Sequence, residues 1–115
     1  MTWLHARFNE SSAFGLVAEI DGAFAGFLIG RVDEWESVPP VIEPRKLGFI
    51  DAVYVEERFR RQRIGSCLIE HALQWLRQRN VAAVETIYDA RNGASAETWR
   101  RAGFASWMVH AYRLL

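Results

Sequence analysis

The sequence has almost no cysteine: Cys67 is the only one among 115 residues. An internal disulfide is therefore excluded, and one cysteine beside three scattered histidines forms no metal-ligand pattern, so no metal is expected. Long apolar runs are also missing. The longest, over residues 23–29, is far too short to cross a membrane, and the first residues carry no signal-peptide core. There is no internal repeat and no low-complexity tract. What is present is half hydrophobic and 24% charged, with five Trp, seven Phe and three Tyr, a composition that excludes a disordered chain. The expectation is one soluble, cytoplasmic domain over residues 1–115, large enough to bury a core.

Net charge is zero, but the signs are separated. Residues 1–57 hold four basic and ten acidic side chains, whereas residues 58–115 hold ten arginines and four acids. Unless the halves interleave in space, this sets two surfaces of opposite sign. The three prolines are confined to residues 39–44, inside an acidic stretch that reads as a loop or irregular hairpin over residues 33–46.

Around that loop the periodicities predict strands at residues 14–20 and 23–31, joined by the hairpin turn Asp21-Gly22. A third strand covers residues 47–55, with Phe49, Asp51, Val53 and Val55 alternating against Ile50, Ala52 and Tyr54. Ile64, Leu68, Ile69, Ala72, Leu73 and Leu76 fall at helical spacing, and Asn80 is a left-handed stop. A strand at residues 81–87, a short helix at residues 94–102 stopped by Gly103 and a last strand at residues 107–114 complete a mixed sheet with helices packed on it.

The long helix begins against the rule for helix ends. Its N-terminus has free N–H groups and a positive dipole end, where acids belong. Instead Arg58, Arg60, Arg61 and Arg63 crowd it, followed by Gly65 and Ser66. That arrangement suits a bound polyanion. No Gly-Lys-Ser/Thr follows, so it is not a Walker loop, and a lone Gly65 is not a dinucleotide fingerprint. No recognition helix or aromatic-interleaved basic strand accompanies it, which argues against nucleic acid.

Arg60-Arg61-Gln62-Arg63-Ile64-Gly65 resembles the Gln/Arg-x-x-Gly-x-Gly/Ala signature of the GNAT acetyltransferase superfamily. Asn92-Gly93-Ala94-Ser95-Ala96-Glu97-Thr98-Trp99, ending at Gly103-Phe104, resembles a second stretch of that family, at the right separation. The resemblance implies an α+β GNAT fold: a mixed, mostly antiparallel sheet with two main helices, shortened at the N-terminus. Only about a dozen residues precede Phe14. The family's first strand and first two helices are therefore expected to be missing, with at most a helical remnant over residues 1–12.

The resemblance further implies direct acetyl transfer from acetyl-CoA, as co-substrate, to a primary amine in a ternary complex. A CoA-binding module without catalysis is the alternative. Arg60, Arg61, Gln62, Arg63, Ile64, Gly65 and Ser66 would cradle the pyrophosphate, with Arg63, at the signature's first Gly, kept in a right-handed conformation. The backbone of Val53, Tyr54 and Val55 would meet the pantetheine arm, their side chains going to the core, and Asn92 would contact that arm or cap a helix. Asp51 would draw a proton from the amine.

Trp99 stands where the family often has an acid tyrosine, and an indole donates a hydrogen bond but cannot serve as that acid. Tyr88 and Tyr112, read as core, are phenols that could replace it. Cys67 reads as a packed residue, His71 as solvent-facing, and Trp75 as core or subunit contact. The acidic stretch Asp33-Glu34-Trp35-Glu36 suits a cationic acceptor. Missing helices leave sheet uncovered, so a homodimer is expected, with Trp3, Phe14, Trp35 and Trp107 as its cover.

Overall fold

The structure, a computed structural model, describes residues 2–9, 12–35 and 45–115, with side chains for residues 12–33 and 46–115. Five strands form one sheet in the order β1-β2-β3-β4-β5: β1 (Thr2–Asn9), β2 (Ala13–Ile20), β3 (Ala23–Trp35), β4 (Arg45–Val55) and β5 (Ala83–Thr86). Neighbours are antiparallel except β4 and β5, which run parallel. A single 3-10 turn (Glu57–Phe59) leads into α1 (Ile64–Arg77), and α2 (Gly93–Arg101) follows β5. The mixed sheet and two helices are those expected. The β2–β3 hairpin turns at Asp21 and Gly22, both left-handed at φ 49° and 82°, as an Asp-Gly turn requires.

Three elements differ from the sequence reading. Thr2–Asn9, expected to be at most a helical remnant, is a strand paired to β2, so a first strand is present at the sheet edge. No helix precedes it among the described residues. Residues 107–114, expected as a last strand, form none. β3 runs on to Trp35 and pairs back to Arg45, so the expected loop is narrowed to residues 36–44; these, with all three prolines and Glu36, lie outside the described residues.

One sheet face is dry. α1 lays Ile64, Leu68, Ile69, Ala72 and Leu76 on Phe14, Leu16, Ala18, Leu28 and Ile50, and Trp99 of α2 joins the same cluster. No polar or charged side chain is buried among the described residues. Phe14 is fully buried and stacks on Trp75 at 4.1 Å between ring centroids. It cannot cover a dimer surface, and Trp75 belongs to the core's edge, with the Arg79 guanidinium 3.4 Å from its ring centroid. The close approach of β3 depends on Gly30, where a Cβ would come within 2.7 Å of the Phe14 ring. The side chains of Trp3 and Trp35 lie outside those described.

Candidate active site

The site is built at the end of β4. Ile29 pairs with Ala52 and Gly30 with Ile50, so Asp51 is the extra residue of a β-bulge. The bulge breaks the alternation that the sequence suggested. Upstream, Ile50 faces the core; downstream, Val53 and Val55 pack against it, while Ala52 and Tyr54 are exposed. Tyr54 is therefore not core. It pairs its ring with Phe27, 5.7 Å between centroids, away from the dry cluster.

Asp51 is turned to Arg31, whose Nη1–H donates to Asp51 Oδ1, while Arg31 Nε–H donates to Asp33 Oδ2 at 3.1 Å. The Arg31 guanidinium also lies 4.2 Å from the Phe49 ring centroid. Partial burial pulls its pKa down, but the hydrogen bonds and charges of Asp51 and Asp33 outweigh that and raise it. Arg31 thus holds one carboxylate oxygen of Asp51 and leaves Oδ2 without a hydrogen-bond partner among the described residues. Sequence reasoning missed Arg31, because only the β3–β4 register brings positions 31 and 51 together.

β4 also loses a neighbour here. Pairing with β5 ends at Ile50 and Thr86, where Thr86 Oγ1–H donates to Ile50 O at 3.0 Å, yet β4 continues to Val55. Glu56 N–H bonds Ala25 O on the β3 side, and Val55 O accepts from Arg60 Nε–H at 3.0 Å rather than from a strand. Backbone groups alternate sides along an antiparallel strand. The N–H and C=O of Val53 and Val55 therefore point into the opening between β4 and β5, and those of Tyr54 point to β3.

Beyond Val55 the chain turns into α1 through Arg61 at φ 67° and Arg63 at φ 62°, both left-handed. This corrects the expected right-handed Arg63: its backbone takes a left-handed conformation that glycine adopts without strain, and Arg63 bears the steric cost. Helical bonding in α1 starts with Cys67 N–H to Arg63 O at 3.0 Å, so the amides of Ile64, Gly65 and Ser66 have no intrahelical acceptor. No side chain caps them and no acid lies in the first turn. Nearby, Arg58 stacks on Phe59, and none of Arg58, Arg60, Arg61 and Arg63 has a carboxylate partner among the described residues. The ion pairs among the described residues join residues within the same charge half, and none of them involves the basic turn. Gln62 lies exposed in the same turn.

The remaining candidates are more dispersed. Asn92 caps α2, its Oδ1 accepting Ser95 N–H at 3.1 Å. Trp99 is 8% exposed and packs edge-to-face on Phe104, centroids 5.0 Å apart. Tyr88 and Tyr112 are both exposed rather than core, Tyr112 at 75%. His71 is on the solvent side, its Nδ1 3.0 Å from Cys67 O. No helix among the described residues is long and apolar enough to cross a membrane, and no group of acidic, His or Cys side chains there could hold a metal.

A family model described as the acetyltransferase (GNAT) family matches residues 1–104. An uncharacterized N-acetyltransferase of Archaeoglobus fulgidus is 34% identical over 104 residues, 86% of this chain, and the chain spans 66% of that relative's length, a little under two thirds. Among solved structures, an aminoglycoside acetyltransferase from an uncultured soil metagenomic sample, in complex with sisomicin, aligns with TM-score 0.75 and 23% identity over 93% of this chain and 68% of its own. An aminoglycoside N-acetyltransferase, AAC(6')-Iy, in complex with CoA aligns with TM-score 0.75 and 18% identity over 92% of this chain and 69% of its own. At these identities the structural likeness is one of fold.

Proposed function

The chain belongs to the acetyltransferase (GNAT) family, and from that premise we propose that it transfers the acetyl group of acetyl-CoA to a primary amine, both substrates being bound together. The observation that carries this reading is the juxtaposition at the end of β4: a strand paired on one side only, opening beside a turn of arginines that have no carboxylate partner among the described residues and helix amides without an intrahelical acceptor. An extended amide chain ending in a pyrophosphate fits those two features in that order. The amides of residues 61–66, with Arg60 and Arg61, would hold the phosphates. Val53 and Val55 would bond the pantetheine amides as an added strand does, and the Nδ2 donors of Asn92 are free for the same arm. CoA brings the acetyl group as an activated thioester.

In this reading the amine nitrogen bonds to the acetyl carbon, the carbon–sulfur bond breaks, and Asp51 Oδ2 receives the amine proton, directly or through water. A backbone N–H in the β4 opening faces the charge that develops on the acetyl oxygen. The sulfur leaves as thiolate and takes its proton from water, because Trp99 cannot supply one. The acceptor is a small or protein-borne cationic amine, in keeping with Asp33 and its acidic neighbours. Two of the structural neighbours are named for aminoglycosides, which carry such amines. A second reading, a CoA-binding module without catalysis, is favoured by one observation: Trp99 is packed in the core at the acid position.

Both readings require CoA to raise the melting temperature with concentration. An unmoved melting point at saturating CoA removes them together. Arg60→Ala with Arg61→Ala weakens CoA binding by about 1–3 kcal/mol, the range for charge-assisted hydrogen bonds. A thiol-release assay with a panel of amines then separates the two. Slow turnover, raised in Trp99→Tyr, supports the enzyme; tight CoA binding without thiol release in either protein supports the module.

A further inference from the structure

Every residue of β4 except Asp51 has a register partner on β3; the pairs on either side of it are Ile50 with Gly30 and Ala52 with Ile29. A residue added in a bulge is left unpaired by the ladder, so the sheet alone does not fix where its carboxylate points. Asp51 is also on the solvent side of the strand, its side chain 35% exposed. Among the described residues its side chain has one hydrogen-bond partner, Arg31. The direction of the Asp51 carboxylate is therefore only as definite as the direction of that guanidinium.

Arg31 is gripped at two further points. Its register partner on β4 is Phe49, whose ring centroid lies 4.2 Å from the guanidinium carbon. Two residues along β3, on the same face, Asp33 Oδ2 accepts from Arg31 Nε–H at 3.1 Å. The ring sets the plane of the guanidinium and Asp33 sets its rotation, which leaves Nη1–H to meet Asp51 Oδ1 from a fixed direction. Only a planar fork with several donors can be used in this way; an ammonium on a flexible stem cannot. The guanidinium also keeps its own protons at any working pH. It can hold the carboxylate without competing with it for a proton drawn from an amine. Two carboxylates around one guanidinium still leave net negative charge for an approaching ammonium group.

We propose that Arg31 is a positioning residue for acetyl transfer: set by Phe49 and Asp33, it fixes the Asp51 carboxylate on the bulge by one oxygen and leaves the other for the amine proton. This rests on the reading of Asp51 as the group that receives that proton. Exposed ion pairs add little to stability, so the value of the grip lies in rate, where a displacement of about 1 Å at the reacting groups costs about 10²-fold. The effect is confined to the chemical step. β4 lies between Arg31 on β3 and the opening toward β5, so Arg31 does not border the place assigned to CoA.

Steady-state thiol release by the full chain tests this, with acetyl-CoA and with sisomicin, spermidine and a lysine-containing peptide as acceptor probes. Arg31→Met keeps an apolar stem on Phe49 and is expected to lower kcat by about 10- to 10²-fold, with KM for acetyl-CoA and the melting temperature nearly unchanged. Arg31→Lys keeps the charge without the fork and recovers part of the loss. Adding Arg31→Met to Asp51→Asn costs nothing further, because Arg31 acts only through Asp51, and the double-mutant cycle reads that coupling directly. Wild-type turnover in Arg31→Met, a raised KM for acetyl-CoA at unchanged kcat, no recovery in Arg31→Lys, or losses that multiply in the double variant overturns the proposal and leaves Asp51 as the base. Wild-type turnover in Asp51→Asn, or no thiol release by the wild type with any probe, overturns the reading of Asp51 and the proposal with it.

Discussion

Residues 46–50 and residues 51–55 are consecutive stretches of β4 in different surroundings. The first stretch lies between β3 and β5, hydrogen-bonded on both sides, and its Ile50 is sealed under α1. The second is paired to β3 alone, carries Asp51 in a bulge and turns Ala52 and Tyr54 outward. A single extra residue separates a stretch that holds the sheet together from one that leaves polar backbone on offer. Substitutions in the first stretch should therefore register in stability, and those in the second in chemistry.

The sharpest way to break that division is Asp51→Asn. Under the proposed reading it lowers turnover at neutral pH by about 10²- to 10⁴-fold, the usual worth of a general base, and activity recovers at high pH as the amine loses its proton unaided. Stability moves by less than about 1 kcal/mol, since the Arg31 pair is solvent-exposed. An unchanged pH–rate profile measured by thiol release assigns Asp51 a structural role only. Ile50→Ala is the complementary case. It removes a core side chain and lowers stability by about 2–5 kcal/mol, read as a shift in the urea midpoint, while CoA affinity of the folded protein stays the same.

A smaller effect sharpens the comparison at the turn that follows. Arg63→Gly relieves a left-handed strain of about 1–2 kcal/mol, offset by about 0.5–1 kcal/mol for glycine's greater freedom when unfolded. Its melting temperature therefore rises by a few degrees, whereas the same change at right-handed Gln78 lowers it. Smallest is a pH effect remote from β4. Hydrogen bonds from Arg100, then Arg101, pull the Glu97 carboxyl from its ordinary 4.5 to about 2. A pKa lower in the folded chain than in the unfolded one gives stability that is present above about 4.5 and lost as pH falls toward 2. Replacing Glu97 with Gln flattens the acid limb of the melting-temperature profile in that window by slightly lowering its neutral-pH plateau, while the two proteins converge near pH 2.

Local chemistry made much of the fold legible. Asp21-Gly22 could only be a tight hairpin, the α1 stripe falls on Ile64, Leu68, Ile69, Ala72 and Leu76, and Asn80 and Gly103 stop their helices at φ 61° and 92°. The basic turn was visible because four arginines at a helix start contradict the dipole. The bulge was not, since a residue added to one strand is defined only by its partner's register. Arg31 was hidden for the same reason, twenty positions from the carboxylate it holds. Arg63 was misread because nothing in an arginine announces a left-handed backbone; only the neighbours that force it do. The last strand failed for a third reason: residues 107–114 have strand propensity, but a strand requires a partner, and they pair with none among the described residues.

The opening between β4 and β5 has a consequence in time as well as in space. Amide protons held in a ladder exchange with solvent only when the ladder opens, at rates spanning the whole range of local stability. The Val53 and Val55 amides face a gap, whereas Tyr54, between them, is held by β3. In deuterated water the free protein should show a fast–slow–fast sequence along three consecutive residues of one strand. A molecule that lies in the gap as an added strand would turn that alternation into uniform protection, recording its residence amide by amide.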